Sequence, residues 1–420
     1  MSTQLTVEQK MTKTNKKNPL TLWYVFLVIL LALGAVALAA RVNGGLGTTN
    51  LTSSMPWGAW VSFYIYFVGM SAGAFLLSSL IHVFDMKHLR KVGRDATLVA
   101  IISMILALCF ILLDLGRMDR FWHALWYGNI TSVLAYEVRF YGIYIVLLLT
   151  ELYFSLRHDL ILQAKGDGLK AKIARLLKLG SKDATEEGRQ KDWRMLKILG
   201  SIGIPIAIFG VHGGTGLLFA VVKAQPYWNT ALFPVIFVVS ALVSGTALVT
   251  VIYIIRNWAT GELVEQSLVK SLAGWMILFL VVDVGLQVFE ILVGLYGLEH
   301  QEIATLFTMF TSRFSWSYWG VQLVIGVLIP ILLYINSRTR NSTKGMLVAA
   351  IAVVIGILGV RFNIVIPALT VPVLPGLPTG YYFPTLVEGG TSLGVMGLGL
   401  LIYTVSARYL PMDTKANDIT

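Results

Sequence analysis

The chain has 420 residues, of which 56% are hydrophobic and only 13% charged, and its mean hydropathy is +0.74. A soluble domain carries roughly twice that share of charge, so a water-soluble enzyme is excluded and a polytopic membrane protein is indicated. The net charge of +11 does not mark a nucleic-acid binder, because the Lys and Arg residues fall in alternate loops. The lone Cys109 excludes internal disulfides and a cysteine-ligated cluster of the chain's own.

Ten stretches reach the ~20 apolar residues needed to cross a bilayer core. In chain order they run approximately over 20–40, 59–84, 97–116, 131–157, 197–222, 232–256, 270–297, 317–337, 345–368 and 385–408. Leu, Ile and Val with scattered Gly predict helices throughout, so the fold class is all-α. A polar tail (1–19), one transmembrane domain (20–408) with a basic loop at 158–196, and a second tail (409–420) are expected. The first span is expected to be an uncleaved signal anchor, because it is longer than a usual signal core.

Most of the 33 Lys and Arg residues fall on one side, beginning with Lys10, Lys13, Lys16 and Lys17. The other side holds Arg41, Arg117, Arg120, Lys223 and Arg313. The positive-inside rule then places both termini in the cytoplasm of a bacterium or archaeon. In the basic loop, Leu169, Ile173, Leu176 and Leu177 alternate with Lys170, Lys172, Arg175 and Lys178. That pattern suits either a short helix on anionic membrane lipids or a solvated connector. The opposite loops carry Trp57, Trp122, Trp126, Trp228, Trp316 and Trp319, an aromatic belt with surface left to dock a partner.

Desolvated charges inside spans are expensive and are functional candidates by default. Asp114 ends the third span and is read either as a site residue or as a partner of Arg117 or Arg120. In the fourth span, Glu137, Tyr141, Tyr144 and Glu151 share one helix face, a polar stripe about 20 Å long at ~1.5 Å per residue. It reads as a proton route or as a hydrogen-bonded helix seam. Arg139 points away from Glu137 and needs its own partner. His212 lies among glycines in the fifth span. Asp283, Gln287 and Glu290 share a face of the seventh, Arg361 and Asn363 lie in the ninth, and Glu388 opens the tenth.

Of the histidines, His82 and His212 fall inside spans, at different depths, so an intrinsic bis-histidine haem is not expected, nor is a metal site. A pocket of His, Tyr and carboxylates suits a quinone, whose carbonyls need donors and whose reduced form must shed protons to general bases. The electrons would then pass to a cofactor in another subunit.

At these residues the chain resembles the polysulfide reductase NrfD family of integral membrane subunits, in its ten-span, hydrogenase-associated branch. The resemblance rests on Pro56-Trp57-Gly58-Ala59-Trp60, Asp114-Leu115-Gly116-Arg117 with Arg120-Phe121, Ser132-Val133, the His212 segment, Pro226 to Trp228, Arg361-Phe362-Asn363, and Tyr382-Phe383-Pro384-Thr385 with Glu388. It implies two four-helix bundles plus flanking helices. It also implies a menaquinone or ubiquinone site near the periplasmic face, contacted by Asp114, His212 and the start of the fourth span. The implied partners are a ferredoxin-like iron–sulfur subunit and a molybdopterin, hydrogenase or multihaem cytochrome catalytic subunit. Where relatives often carry a carboxylate, this chain aligns Tyr136, with Glu137 beside it; the two side chains diverge by about 100° on a helix. A proton-coupled secondary transporter stands as the rival reading, since ten spans with buried carboxylates suit it as well.

Overall fold

The computed structural model describes residues 19–374 and 376–412; the rest of the amino-terminal tail, with its four lysines, and the end of the carboxy-terminal tail lie outside them. Ten long apolar helices are present among the described residues: α1 (Leu20–Thr48), α2 (Ala59–Val83), α3 (Lys87–Asp114), α4 (Val133–Gln163), α5 (Glu186–Ala220), α6 (Leu232–Thr260), α7 (Gln266–Tyr296), α8 (Ser317–Ile335), α9 (Thr343–Thr370) and α10 (Leu386–Tyr409). Each expected span is one of them.

The differences lie at the basic end, where α3, α4 and α5 extend past their apolar stretches. Hydropathy ends where charge begins, but a helix ends where its backbone is capped. Here the extensions are tied by ion pairs, Arg94–Asp159 at 2.6 Å and Arg157–Asp192 at 2.7 Å. The start of α5 is capped by Thr185, whose hydroxyl accepts from the Gly188 amide at 3.1 Å.

Helices α2–α5 form one bundle and α6–α9 a second, while α1 and α10 pair with each other and rest on α3. This is the layout that the resemblance implies. α2 is the hub and touches α3, α5, α6 and α9. It is buried along 94% of its most apolar stretch, against 17% for α1 and 11% for α8, which are outer helices.

The helices cross where side chains are missing. A Cβ on Gly73 would stand 1.8 Å from the Ala241 carbonyl oxygen, and one on Gly245 would meet the α2 backbone at 2.2 Å. Gly34 meets Gly394 in the same way between α1 and α10, as Gly326 meets Gly356 between α8 and α9. With lipid as solvent, such close backbone approach is a main source of helix association.

Two helices carry π-helical stretches. Pro205 has no N–H to give the ladder, and α5 continues as a π-helix over Ile206–His212. In α8 the π stretch covers Ser317–Leu328. π segments are rare and concentrate at functional sites, and both lie beside buried polar residues described below.

Of the two readings of the basic loop, it does contain a short helix, Leu169–Leu177. Its alanines Ala171 and Ala174 pack inward, which leaves Leu169 and Leu176 58% and 75% exposed among the cations. At the other end, Trp57 and Trp228 stack at 5.6 Å, whereas Trp126 and Trp316 remain exposed.

Candidate functional site

The polar core of the first bundle begins with a register. α2 and α4 meet along a line of constant sequence offset, 73 residues, at Tyr64–Glu137, Ser71–Tyr144 and Ser78–Glu151. A repeat of seven residues is close to two helical turns, so each knot of hydrogen bonds sits directly below the last.

Glu137 is fully buried in the first knot. Its Oε1 accepts from the Tyr64 hydroxyl at 2.5 Å, from the Thr215 hydroxyl at 2.5 Å and from the Tyr141 hydroxyl. Its Oε2 has no hydrogen-bond partner. In the second knot, Tyr144 donates to the Ser71 carbonyl at 3.0 Å and Ser71 to the Ala100 carbonyl at 2.7 Å. In the third, Glu151 Oε1 accepts from Ser78 at 2.7 Å and Thr97 at 3.0 Å, with His82 Nδ1 at 3.8 Å. The stripe expected on the fourth span is therefore buried on one face. It is a series of three knots, because Tyr144 ends on backbone.

His212 closes the π segment of α5, one turn before Thr215. Its Nε2 lies 3.3 Å from Nη2 of Arg361, which also donates to Ser240 at 2.8 Å. The guanidinium carbon stands 4.6 Å from the centre of the Phe237 ring. An arginine only donates, so His212 Nε2 is assigned as acceptor and the ring proton falls on Nδ1. That buried nitrogen has no partner. Gly69 of α2 makes room for the pair, since a Cβ there would sit 3.0 Å from the imidazole.

In the second bundle a chain of amides continues from Asp283. Gln287 donates to Asp283 at 2.7 Å, Gln322 to Gln287 at 2.8 Å, and Asn363 to Gln322 at 2.7 Å. Arg361 acts on Asp283 electrostatically. Glu290 accepts from Thr230 at 3.4 Å. A cavity of about 40 Å³ opens between Gln287, Glu290, Gln322 and Asn363, which is room for ordered water among polar partners.

The remaining candidates lie elsewhere. Asp114 forms a separate group where α1, α3 and α10 meet. Its nearby cation is Arg41, not Arg117 or Arg120, which lie beside Asp119. Arg41 is buried and caps α3 by donating to the carbonyls of Leu113 at 3.0 Å and Leu115 at 2.8 Å. Glu388 is occupied as a helix cap. Its Oε2 accepts from the Thr385 amide at 2.9 Å, its own amide donates to the Thr385 hydroxyl at 3.3 Å, and its Oε1 accepts from Tyr382. Burial and the adjacent Glu388 carboxylate push the Tyr382 phenol well above its ordinary range. Arg139 is half-buried and holds the carbonyls of Gly128 at 2.5 Å and Leu125 at 3.5 Å.

Tyr136 and Glu137 do diverge. Glu137 faces the core, while Tyr136 is half-buried beside Phe140, its hydroxyl 3.4 Å from the Phe209 carbonyl. Between them lies Gly214, where a Cβ would find Tyr136 at 3.7 Å and Glu137 at 4.0 Å. Tyr136 thus stands between buried Glu137 and Phe209, which is 69% exposed.

The structure brings Glu137, Tyr136, Tyr141 and His212 together, with Arg361 behind them. Asp114 lies near Arg41 and Glu388, Arg139 on the Gly128 and Leu125 carbonyls, and Glu388 on Thr385 and Tyr382. Tyr64, Thr215, Ser71, Ser78 and Arg41 escaped the sequence reading. The hydroxyls Tyr64, Ser71 and Ser78 do recur every seventh residue on the second span, a signal that only their partners make meaningful. Among the described residues, no three His, Cys, Asp or Glu side chains meet as a metal site.

A test follows for Glu388. Glu388→Ala removes the capping box and is expected to cost about 1 kcal/mol of stability, seen as a lower unfolding temperature in detergent, with activity per folded molecule retained. Lost activity at unchanged stability would instead make Glu388 a ligand.

The family model described as "Polysulphide reductase, NrfD" matches residues 47–373. The chain is 37% identical over 412 residues to a selenate reductase subunit of Mesobacillus selenatarsenatis, covering 95% of this chain and 96% of that one. It is 26% identical to the Hdr-like menaquinol oxidoreductase integral membrane subunit of Archaeoglobus fulgidus, covering 92% of each. It is 25% identical to the menaquinone reductase integral membrane subunit of Nitratidesulfovibrio vulgaris, covering 93% of this chain and 91% of that one. With ten membrane helices in two bundles and a family match over most of its length, the chain belongs to the NrfD polysulphide reductase family of multi-pass membrane proteins.

Proposed function

We propose that the chain is the quinone-reactive membrane subunit of a respiratory oxidoreductase complex. It exchanges electrons between membrane quinone or quinol and an iron–sulfur partner on the face opposite the basic loops. The observation that carries this reading is the buried Glu137 carboxylate, held through one oxygen by three hydroxyls while the other faces no partner. Names of relatives support it: two are called menaquinol or menaquinone enzymes, and one is a reductase subunit. A menaquinone-type substrate fits those names. The distribution of Lys and Arg supports an orientation with the basic loops in the cytoplasm and Glu137 toward the periplasmic side.

The residues present fit a quinone head group. A bound quinol supplies two electrons and two protons per oxidation. Glu137 Oε2 is the base that takes a proton, and the three hydroxyls at Oε1 stabilise the carboxylate before it does so. The His212 Nδ1 proton offers a donor one helical turn away, and Arg361 keeps the imidazole in that tautomer. Tyr136, half-buried beside Phe209, offers a second donor. Asp114 stands in its Arg41 group and contributes to the closed packing of the periplasmic end. The transporter reading draws on broken helices near the midplane; α5 and α8 change pitch here but stay continuous.

The test is quinol oxidation and quinone reduction by the complex purified through this chain, with metal and haem analysis of the same sample. Quinone-dependent electron transfer to a co-purifying iron–sulfur partner is expected. His212→Ala is expected to lower turnover about tenfold or more, within the range of a lost catalytic proton or hydrogen-bond partner, with assembly intact. A cofactor-free preparation with no quinone activity would overturn the reading.

A further inference from the structure

At the basic end of the first bundle lies a cavity of about 390 Å³ between α3, α4 and α5. An ordered water needs on the order of 10–15 Å³ of such space and a few polar partners, so this volume holds a cluster of waters. Its walls are charged but balanced. Arg94 pairs with Asp159 at 2.6 Å, and Arg90 pairs with Asp85 at 2.6 Å while covering the Trp193 ring at 4.3 Å. Ser155 and His158 of α4 also line it.

His82 is the wall residue that joins this cavity to the polar seam. It is 5% exposed and held edge-on by Trp193, ring centres 5.1 Å apart. Its Nδ1 lies 3.5 Å from the Ser78 hydroxyl, which donates to Glu151 at 2.7 Å, and 3.8 Å from Glu151 itself. Glu151 is completely buried, and its Oε2 has no partner. A buried carboxylate whose remaining contacts are two hydroxyls and an imidazole is over-built for packing alone, since an apolar side chain would fill that space at lower cost.

We propose that this cavity is an aqueous antechamber and that His82 is the relay through which the seam exchanges protons with water on the basic face. One ring nitrogen takes a proton from cavity water while the other gives its proton to Glu151, directly or through Ser78. The imidazole ends neutral and one proton has moved. The reverse sequence returns it. The three knots stand in one line between this antechamber and Glu137, and rotation of the Tyr144 hydroxyl off the Ser71 carbonyl is the step that joins them. This rests on the quinone reading for the far end of the seam; the antechamber itself stands on its own geometry.

Two experiments test it in the complete complex in sealed vesicles. In a Cys109→Ser background, Ser155→Cys is expected to react with a charged, membrane-impermeant thiol reagent added on the basic face and not with reagent on the other. No reaction from the basic face overturns the antechamber, whatever the quinone activity. Second, proton exchange at the basic face is followed with a pH dye during quinol-driven turnover. His82→Ala is expected to slow it about tenfold or more, and millimolar imidazole, small enough to enter the cavity, is expected to restore it. A merely structural histidine would give no rescue. Unchanged exchange in His82→Ala overturns the relay, as does a native complex that turns over without proton exchange at that face. Loss of quinol oxidation in the native complex would strike the quinone reading and leave the labelling result to decide the antechamber.

Discussion

Glu137→Gln is expected to lower quinol-linked turnover by at least about a hundredfold while the complex still assembles. The substitution keeps shape and size. The hydroxyls of Tyr64, Tyr141 and Thr215 can rotate to suit an amide, because each both donates and accepts. What the amide cannot do is take a proton, and a positioned general base is worth about 10²–10⁴ in rate. Tyr141→Phe is the softer companion. It removes one of three donors at Oε1 and should cost about tenfold or somewhat more, at the ~1.5–3 kcal/mol of one hydrogen bond to a charged group. Steady-state quinol oxidation on purified complex, normalised to bound partner subunits, reads both. Near-normal turnover in Glu137→Gln would remove Glu137 as the base and leave the three-hydroxyl knot as a packing device.

The second large effect concerns the joint between the bundles. Gly73→Leu is expected to abolish folded protein, and Gly245→Leu likewise, because their added Cβ atoms would stand 1.8 Å and 2.2 Å from facing backbone. Backbone cannot swing aside as a side-chain tip can, so α2 and α6 must separate. Overpacking a tight core already costs about 1–3 kcal/mol per site when side chains can yield; here whole helices would have to yield. The controls are Gly142→Leu and Gly285→Leu, where an added Cβ meets nothing within 4 Å. These should give native yields in detergent and native elution on size exclusion. If all four variants behave alike, the α2–α6 crossing is not what holds the bundles together.

These two results concern one architectural fact. α2 carries both the glycines that join the bundles and the hydroxyls that face Glu137 and Glu151. Its Gly73 face meets α6, while Tyr64, Ser71 and Ser78 meet α4. Between them Gly69 leaves space for His212 and Arg361. Separating the bundles would therefore disturb the candidate site as well.

All ten spans were legible in the sequence, because burying unpaired backbone in hydrocarbon is so costly that each crossing must be a long apolar helix. The stripe Glu137, Tyr141, Tyr144 and Glu151 was legible too, since helical periodicity alone places those residues on one face. The short basic helix at Leu169–Leu177 was legible only as one of two readings, since leucines among cations suit a solvated connector as well. Partners were not legible. Asp114 was read against its neighbours Arg117 and Arg120, yet Arg41 reaches it from α1, because helix crossings bring together residues far apart in the chain. The buried charges were legible one by one as candidates, and their grouping was not: Glu137 lies with three hydroxyls, His212 with Arg361, Asp114 near Arg41. Which face of a helix meets which neighbour depends on glycine crossings and on the π stretches of α5 and α8. Those change side-chain direction by fractions of a turn that no residue pattern announces. Local chemistry and the bilayer thus determined how many helices there are, where they run and which faces are polar. Tertiary packing alone decided that Glu137 meets Tyr64 and Thr215, that His212 meets Arg361, and that Asp114 meets Arg41.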